Sequence, residues 1–308
     1  MIQILHLAKA EIRIFFTLSM IPRRLFLAQV LLILASCTRS KSTQIGLKKL
    51  IVGVVAYGEG IQSVEQYQSF INYLETQTKT LIELEPVYNE VQAIKQIQRQ
   101  AWSLVFAPPG LAAIATEAQY LPLFPLQGTN NRRSVLVVLA ASNIKKLTDL
   151  NGQTVALGQP GSVTGYYLPL YNLYGITLAK VQIAPTPKNI LELIAKGEVA
   201  MGALSKDEFD RYQSEFLPIK LRILHASQSI PSGAVLVSPN IDSDRLKVIE
   251  QAMNQATPEI AQQAGYISNA PPPKYNDLIA FIDKVKSIEA HIHEQPAPLY
   301  QLKEEKLF

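Results

Sequence analysis

Short apolar runs rich in β-branched residues recur along this chain, and most are followed by stretches in which apolar side chains return every three or four positions. The first run, Ile51-Val52-Gly53-Val54-Val55-Ala56-Tyr57, has the length of a strand and no polar face, as a sheet covered on both sides requires. Val64, Tyr67, Phe70, Ile71 and Leu74 then follow at helical spacing. A strand over Leu81–Val87, a helix marked by Val91, Ile94 and Ile97, and a strand over Ser103–Ala107 ended by Pro108-Pro109-Gly110 continue the series. Alternation of this kind implies parallel strands joined by right-handed crossovers.

The series restarts at Ser134–Leu139. Strands are predicted over Thr154–Gly158, Val181–Ala184, Val199–Leu204 and Leu221–His225, with helices running to Tyr174 and over Ile190–Lys196. Gly233–Val237 reads as one more strand, and two helices follow, marked by Leu246 to Ala256 and by Leu278 to Ile288. The segment from His291 is polar and Pro-interrupted and is expected to be a loosely held tail. The reading is therefore α/β with two lobes, each a mainly parallel sheet flanked by helices. Lobe 1 comprises residues 50–133 plus 234–290, lobe 2 residues 134–233, and the tail residues 291–308. The strand runs near Ser134 and Gly233 are the candidate crossings between the lobes. Ligands of such folds sit at the carboxyl ends of strands and between domains.

Composition narrows the classes. Hydrophobic residues make up 48% and charged residues 18% of 308, enough for a sizeable core. Of the formal charge of +4, residues 1–36 supply +3 through Lys9, Arg13, Arg23 and Arg24 against Glu11. The rest is nearly neutral, which removes any electrostatic ground for nucleic-acid binding.

Residues 1–36 have signal-peptide anatomy. Arg23-Arg24 precede an apolar run, Leu25 to Leu34, too short for the roughly 20 residues a spanning helix needs. Small residues then lead to Cys37, the only cysteine of the chain, so neither an intramolecular disulfide nor a cysteine-based zinc site is expected. Leu34-Ala35-Ser36-Cys37 resembles the bacterial lipobox, which implies cleavage before Cys37 and lipid on its sulfur. Met20 would open a compact signal and is the expected start. The paired arginines resemble a twin-arginine signal, although Pro22 replaces the usual Ser or Thr and Sec export is favoured. Residues 37–49 form a polar tether.

Enzyme motifs are missing where they would be expected. In Gly161-Ser162-Val163-Thr164-Gly165 the serine stands one place too early for a nucleophile elbow. No Gly-Lys-Ser/Thr is present for a phosphate loop, Gly58 and Gly60 lack the third glycine of a dinucleotide fingerprint, and no His-Glu-x-x-His occurs. No enzyme activity, cofactor or metal is expected.

The segment from Gly158 to Pro169 runs from a strand end into a helix start. Its glycines permit a tight turn, Ser162 or Thr164 can cap the helix, and unpaired N–H groups there face outward. Such a turn suits an anion, and it equally suits an ordinary capped helix start.

Resemblance adds to this reading. Gly161 to Leu170, Lys146-Leu147-Thr148-Asp149-Leu150-Asn151-Gly152 and Ser229 to Val235 resemble, in order, segments of the phosphate/phosphite/phosphonate ABC-transporter substrate-binding family. The resemblance runs from about Leu50 to Asp283 and implies a type II periplasmic-binding fold that captures a small oxyanion by lobe closure. It implies two lobes joined by a two-strand hinge and delivery to an ABC permease and its ATPase; the lipobox resemblance adds an extracytoplasmic protein held to the membrane by lipid on Cys37. Ser162, Val163 through its amide, and Thr164 match the family's contacts to the oxyanion, and Tyr88 matches a pocket tyrosine. Tyr57, Gly165 and Tyr166 complete the expected set, and Arg132 and Arg133, beside the hinge strand, are the expected source of positive charge. Pro187 stands where members often carry histidine and Ala200 where they carry aspartate, which argues against an aminoalkyl phosphonate. A sulfonate or other small anion, or a ligand-binding role in a membrane sensor, are the alternatives.

Overall fold

The computed structural model describes residues 49–55, 64–128 and 132–300. The signal-like segment, Cys37 and Tyr57 lie outside the described residues.

Two five-stranded sheets organise the chain. The first is built from β1 (Leu50–Val55), β2 (Ile82–Val87), β3 (Leu104–Ala107), β4 (Leu121–Pro125) and β11 (Ala234–Val237), in the order β2-β1-β3-β11-β4. The second uses β5 (Ser134–Leu139), β6 (Thr154–Leu157), β8 (Lys180–Ile183), β9 (Met201–Ser205) and β10 (Leu221–Ala226), in the order β10-β5-β9-β6-β8. This is the α/β fold of type II periplasmic-binding proteins. The sheets are mixed rather than mainly parallel. In the first, β1 pairs parallel with β2 and β3, while β11 pairs antiparallel with β3 and β4. In the second, β6 pairs parallel with β8 and β9, while β5 is antiparallel to β9 and β10. The antiparallel pairs involve β5 and β11, the strands entered directly after a crossing between sheets, where no helix intervenes to turn the chain around.

The helices follow from burial patterns. In α1 (Gln68–Thr78) Phe70, Ile71 and Leu74 are buried, one stripe of an amphipathic helix. The helix α2 (Glu90–Gln98) is capped by Asn89, whose side chain accepts from the Gln92 N–H. The sequence pattern gives no sign of α3 (Pro109–Glu117), because its Gly110, Leu111, Ala112, Ala113 and Ala115 are all buried and show no amphipathic period. In the second half, a π turn (Val163–Tyr167) runs into α4 (Leu168–Asn172), and α5 (Pro187–Ala195) lies so close to β9 that a β-carbon on Gly202 would stand 2.3 Å from Ile190 Cγ2. A capping box between Ser205 and Glu208 opens α6 (Lys206–Tyr212). Further on come α7 (Ser243–Gln255), α8 (Pro258–Ala264) and α9 (Asn276–Glu289).

Two crossings connect the sheets and bond to one another. Leu126 N–H donates to Gly233 O at 2.9 Å, Ile230 N–H to Arg132 O at 3.0 Å and Ser227 N–H to Ser134 O at 2.9 Å. A third connection comes from the C-terminal region. The helix α9 packs against both α3 and α4. Beyond it, residues 291–300 are packed down rather than loosely held, while residues 301–308 of the expected tail lie outside the described residues. β12 (Ala297–Pro298) pairs antiparallel with β7 (Thr177–Leu178), and Ile292, Ala297 and Leu299 are buried. Three anchors at irregular spacing inside a polar, proline-containing stretch carry no period, so only packing reveals them.

Candidate functional site

A cleft of about 360 Å³ opens between the halves. One wall is Glu90 at the start of α2 and Pro108, Pro109 and Gly110 at the start of α3; the crossings add Gln127, Gly128, Arg132 and Ile230. The facing wall is Gly161, Ser162, Val163 and Thr164, with Ser205, Asp207, Glu208 and Arg211 from the end of β9 and from α6.

The Gly161–Thr164 turn is held from several sides. Gly161 has φ +105°, open to glycine at little cost. Ser162 caps the π turn, its Oγ accepting from the Gly165 N–H at 3.0 Å, which leaves its O–H to donate elsewhere. Gly158 N–H donates to Gly165 O at 2.8 Å, and Ser134 Oγ donates to Thr164 O at 2.6 Å, fastening the turn to the first residue of β5. The N–H groups of Val163 and Thr164, at the first positions of the turn, have no acceptor among the described residues. Across the cleft, α3 follows Pro108 with no side-chain cap, so its start contributes the partial positive charge of a helix N-terminus to that wall. The walls nearly touch: a β-carbon on Gly110 would lie 2.0 Å from Gly161 O.

The lining carries both signs. Arg132 and Arg211 face a cleft that also includes Glu90, Asp207 and Glu208. The Glu208 carboxylate accepts from Ser205 N at 2.8 Å and from Ser205 Oγ at 2.7 Å, so part of its charge is already committed. Among the described residues no three His, Cys, Asp or Glu side chains are grouped to hold a metal ion.

The expected residues are distributed unequally. Ser162, Val163 and Thr164 come together in the cleft, and Gly165 lines a small adjoining space of about 20 Å³ with Gln159 and Pro187. Tyr88 is 54% exposed and does not line the cleft. Arg133 points its Nη1 at Ser227 O, 3.1 Å away, while its neighbour Arg132 lines the cleft. Tyr166 is fully buried and its hydroxyl donates to Glu289 Oε1 at 2.8 Å. Burial first, then the charge and hydrogen bond of Glu289, hold that hydroxyl protonated well above the usual tyrosine range. Tyr167 is pushed up to about 12, chiefly by burial. Glu90, Pro108, Gly110, Ser205, Asp207, Glu208 and Arg211 were not among the expected residues. The capping box Ser-Lys-Asp-Glu at 205–208 and the Pro-Pro-Gly start of α3 were the signals available for them.

The fold and cleft define a two-sheet substrate-binding protein of the periplasmic type. The family model described as ABC transporter, phosphonate, periplasmic substrate-binding protein matches residues 52–270, and the chain belongs to that family. Its members are transport binding proteins, not enzymes. Among solved structures, XAC2383 from Xanthomonas citri bound to ATP matches with a TM-score of 0.66 at 19% identity, over 77% of this chain and 98% of that one. PhnD1 from Prochlorococcus marinus in complex with methylphosphonate gives 0.65 at 16%, over 78% and 98%. A binding protein component of an ABC phosphonate transporter from Pseudomonas aeruginosa (PA3383) gives 0.63 at 14%, over 79% and 87%. No match to this chain is found among curated proteins. No helix among the described residues is long and apolar enough to cross a membrane.

Proposed function

We propose that this protein is the capture subunit of an ABC importer for a small phosphonate-like oxyanion, held to the outside of a membrane by lipid on Cys37. Residues 50–133 plus 234–290 form one lobe and 134–233 the other, and closure delivers the ligand to a permease driven by its ATPase. The observation that carries the reading is the 162–164 turn. Two N–H groups without acceptors among the described residues and two hydroxyls, of Ser162 and Thr164, lie in one wall of an inter-sheet cleft, opposite an uncapped helix start. Membership of the phosphonate-binding family supports it, as does a structural neighbour solved with methylphosphonate.

Calorimetry with phosphate, phosphite, methylphosphonate and methanesulfonate tests the seat. A hydrogen bond to a charged acceptor contributes about 1.5–3 kcal/mol, so Ser162→Ala and Thr164→Val are each expected to weaken binding about ten- to a hundredfold. Thr76→Ala, remote on α1, serves as the control. Unchanged affinity in both seat variants would reduce the turn to a helix cap. Loss of affinity accompanied by an early ligand-free melt would show damaged capping instead, a matter of about 1 kcal/mol.

The anchor has its own test. Cys37→Ala is expected to move the protein from the membrane to the soluble fraction and to remove the mass of a diacylglyceryl group. Equal membrane retention of both forms, with no lipid mass on the wild type, would exclude lipidation.

A further inference from the structure

The seat is built on a wide turn. Ser162 O accepts from both Tyr166 N and Tyr167 N, each at 3.1 Å, and Leu168 N–H reaches back to Val163 O. A π turn is rare, and it persists where something outside the turn holds it; such turns concentrate at functional sites. Here the outside hold comes from two directions. Ser134 Oγ fixes the Thr164 carbonyl at 2.6 Å, and Glu289 accepts the Tyr166 hydroxyl at 2.8 Å across 123 positions of sequence. Tyr166 has no solvent to turn to, since it is fully buried. Glu289 closes α9, the helix that packs against α3 and α4 together, so the acceptor stands on the element shared by both walls of the cleft. After α9, Ile292, Ala297 and Leu299 are buried and β12 pairs with β7.

We propose that Glu289 is a positioning residue for oxyanion binding, acting through Tyr166 to hold the Val163–Tyr167 π turn in the geometry that presents the Val163 and Thr164 N–H groups to the cleft. This rests on the reading of Ser162–Thr164 as the oxyanion seat. Without its acceptor the buried phenol is left unpaired, which is costly enough to turn the ring and let the segment relax toward ordinary α geometry. The N–H groups then lose their common direction, although no ligand contact has been removed.

Glu289→Ala and Tyr166→Phe are measured beside Ser162→Ala, using phosphate, phosphite and methylphosphonate in calorimetry and amide hydrogen exchange over residues 163–167. Both substitutions are expected to weaken binding about tenfold and to speed exchange in the turn. The double variant is expected to be no weaker than either single one, because the two groups act as one link. Glu289→Gln, which keeps an acceptor, is expected to restore most of the affinity lost in Glu289→Ala. If Ser162→Ala weakens binding while Glu289→Ala and Tyr166→Phe only lower the melting temperature, the link is structural and the proposal fails. Equal loss in Glu289→Gln and Glu289→Ala would overturn it too, since charge rather than the hydrogen bond would then matter. A wild type that binds none of the three anions removes the seat and the proposal together. If Glu289→Ala does not fold, Tyr166→Phe and Glu289→Gln decide the outcome.

Discussion

Gly110→Ala is expected to weaken oxyanion binding about a hundredfold while leaving the ligand-free melting temperature close to that of the wild type. The added β-carbon would meet Gly161 O at 2.0 Å, and that oxygen belongs to the backbone, so no rotamer change relieves the contact. Gly161 is itself confined. A β-carbon on it would lie 3.0 Å from Glu90 Cβ and from Ile94 Cδ1, so the turn has little room to retreat. The only relief is separation of the walls, α3 on one side and the seat turn on the other. Holding them together then costs about 3 kcal/mol, the upper range for overpacking, which corresponds to about a hundredfold in affinity. Small-angle scattering supplies a second measure. Saturating ligand is expected to shrink the radius of gyration of the wild type, as hinge closure requires, and to leave that of Gly110→Ala at the ligand-free value. Affinity within threefold of wild type would show that the walls need not approach to bind, and the closure reading would fall.

The second large effect concerns stability. Trp102→Ala is expected to cost about 3–5 kcal/mol, as for other fully buried aromatic side chains. The ring has no exposed surface and lies directly against β1, with a β-carbon on Gly53 placed 2.0 Å from its Cδ2. Glycine at position 53 leaves the space the ring fills, so the sheet and the indole are fitted to each other. The Tyr120 hydroxyl donates to the Trp102 carbonyl at 2.9 Å, a bond the substitution keeps, so the loss measures packing. The indole Nε1 is buried without a partner among the described residues, so Trp102→Phe, which removes that donor and retains much of the volume, is expected to lose far less. Trp102 is the only tryptophan, so unfolding is followed by circular dichroism rather than fluorescence. A loss below about 1 kcal/mol in Trp102→Ala would mean that the surroundings collapse into the space.

How much of this was legible beforehand follows from how each feature is encoded. Strands such as Leu50–Val55 and Ser134–Leu139 announce themselves because a two-sided buried strand must be apolar throughout. The 161–165 segment is conspicuous because tight turns need glycine and helix starts need hydroxyls, both local demands. By contrast, α3 is apolar from Pro109 to Ala115 and shows no amphipathic period, and α6 is short enough that only its capping box marks it.

The sequence by itself determined the α/β alternation, the glycine-framed, hydroxyl-bearing helix start at 161–165 and the resemblance to the phosphonate-binding family. These depend on periodicity, turn chemistry and short motifs, all readable within a few residues. Tertiary structure alone decided that Arg132 rather than Arg133 lines the cleft, that Glu90, Asp207 and Glu208 share it, and that Tyr166 is fastened to Glu289. It also decided that Ile292, Ala297 and Leu299 are buried and that β12 pairs with β7. Those outcomes depend on which distant segments meet, and neighbouring arginines or a scattered set of apolar side chains carry no local signal of their partners.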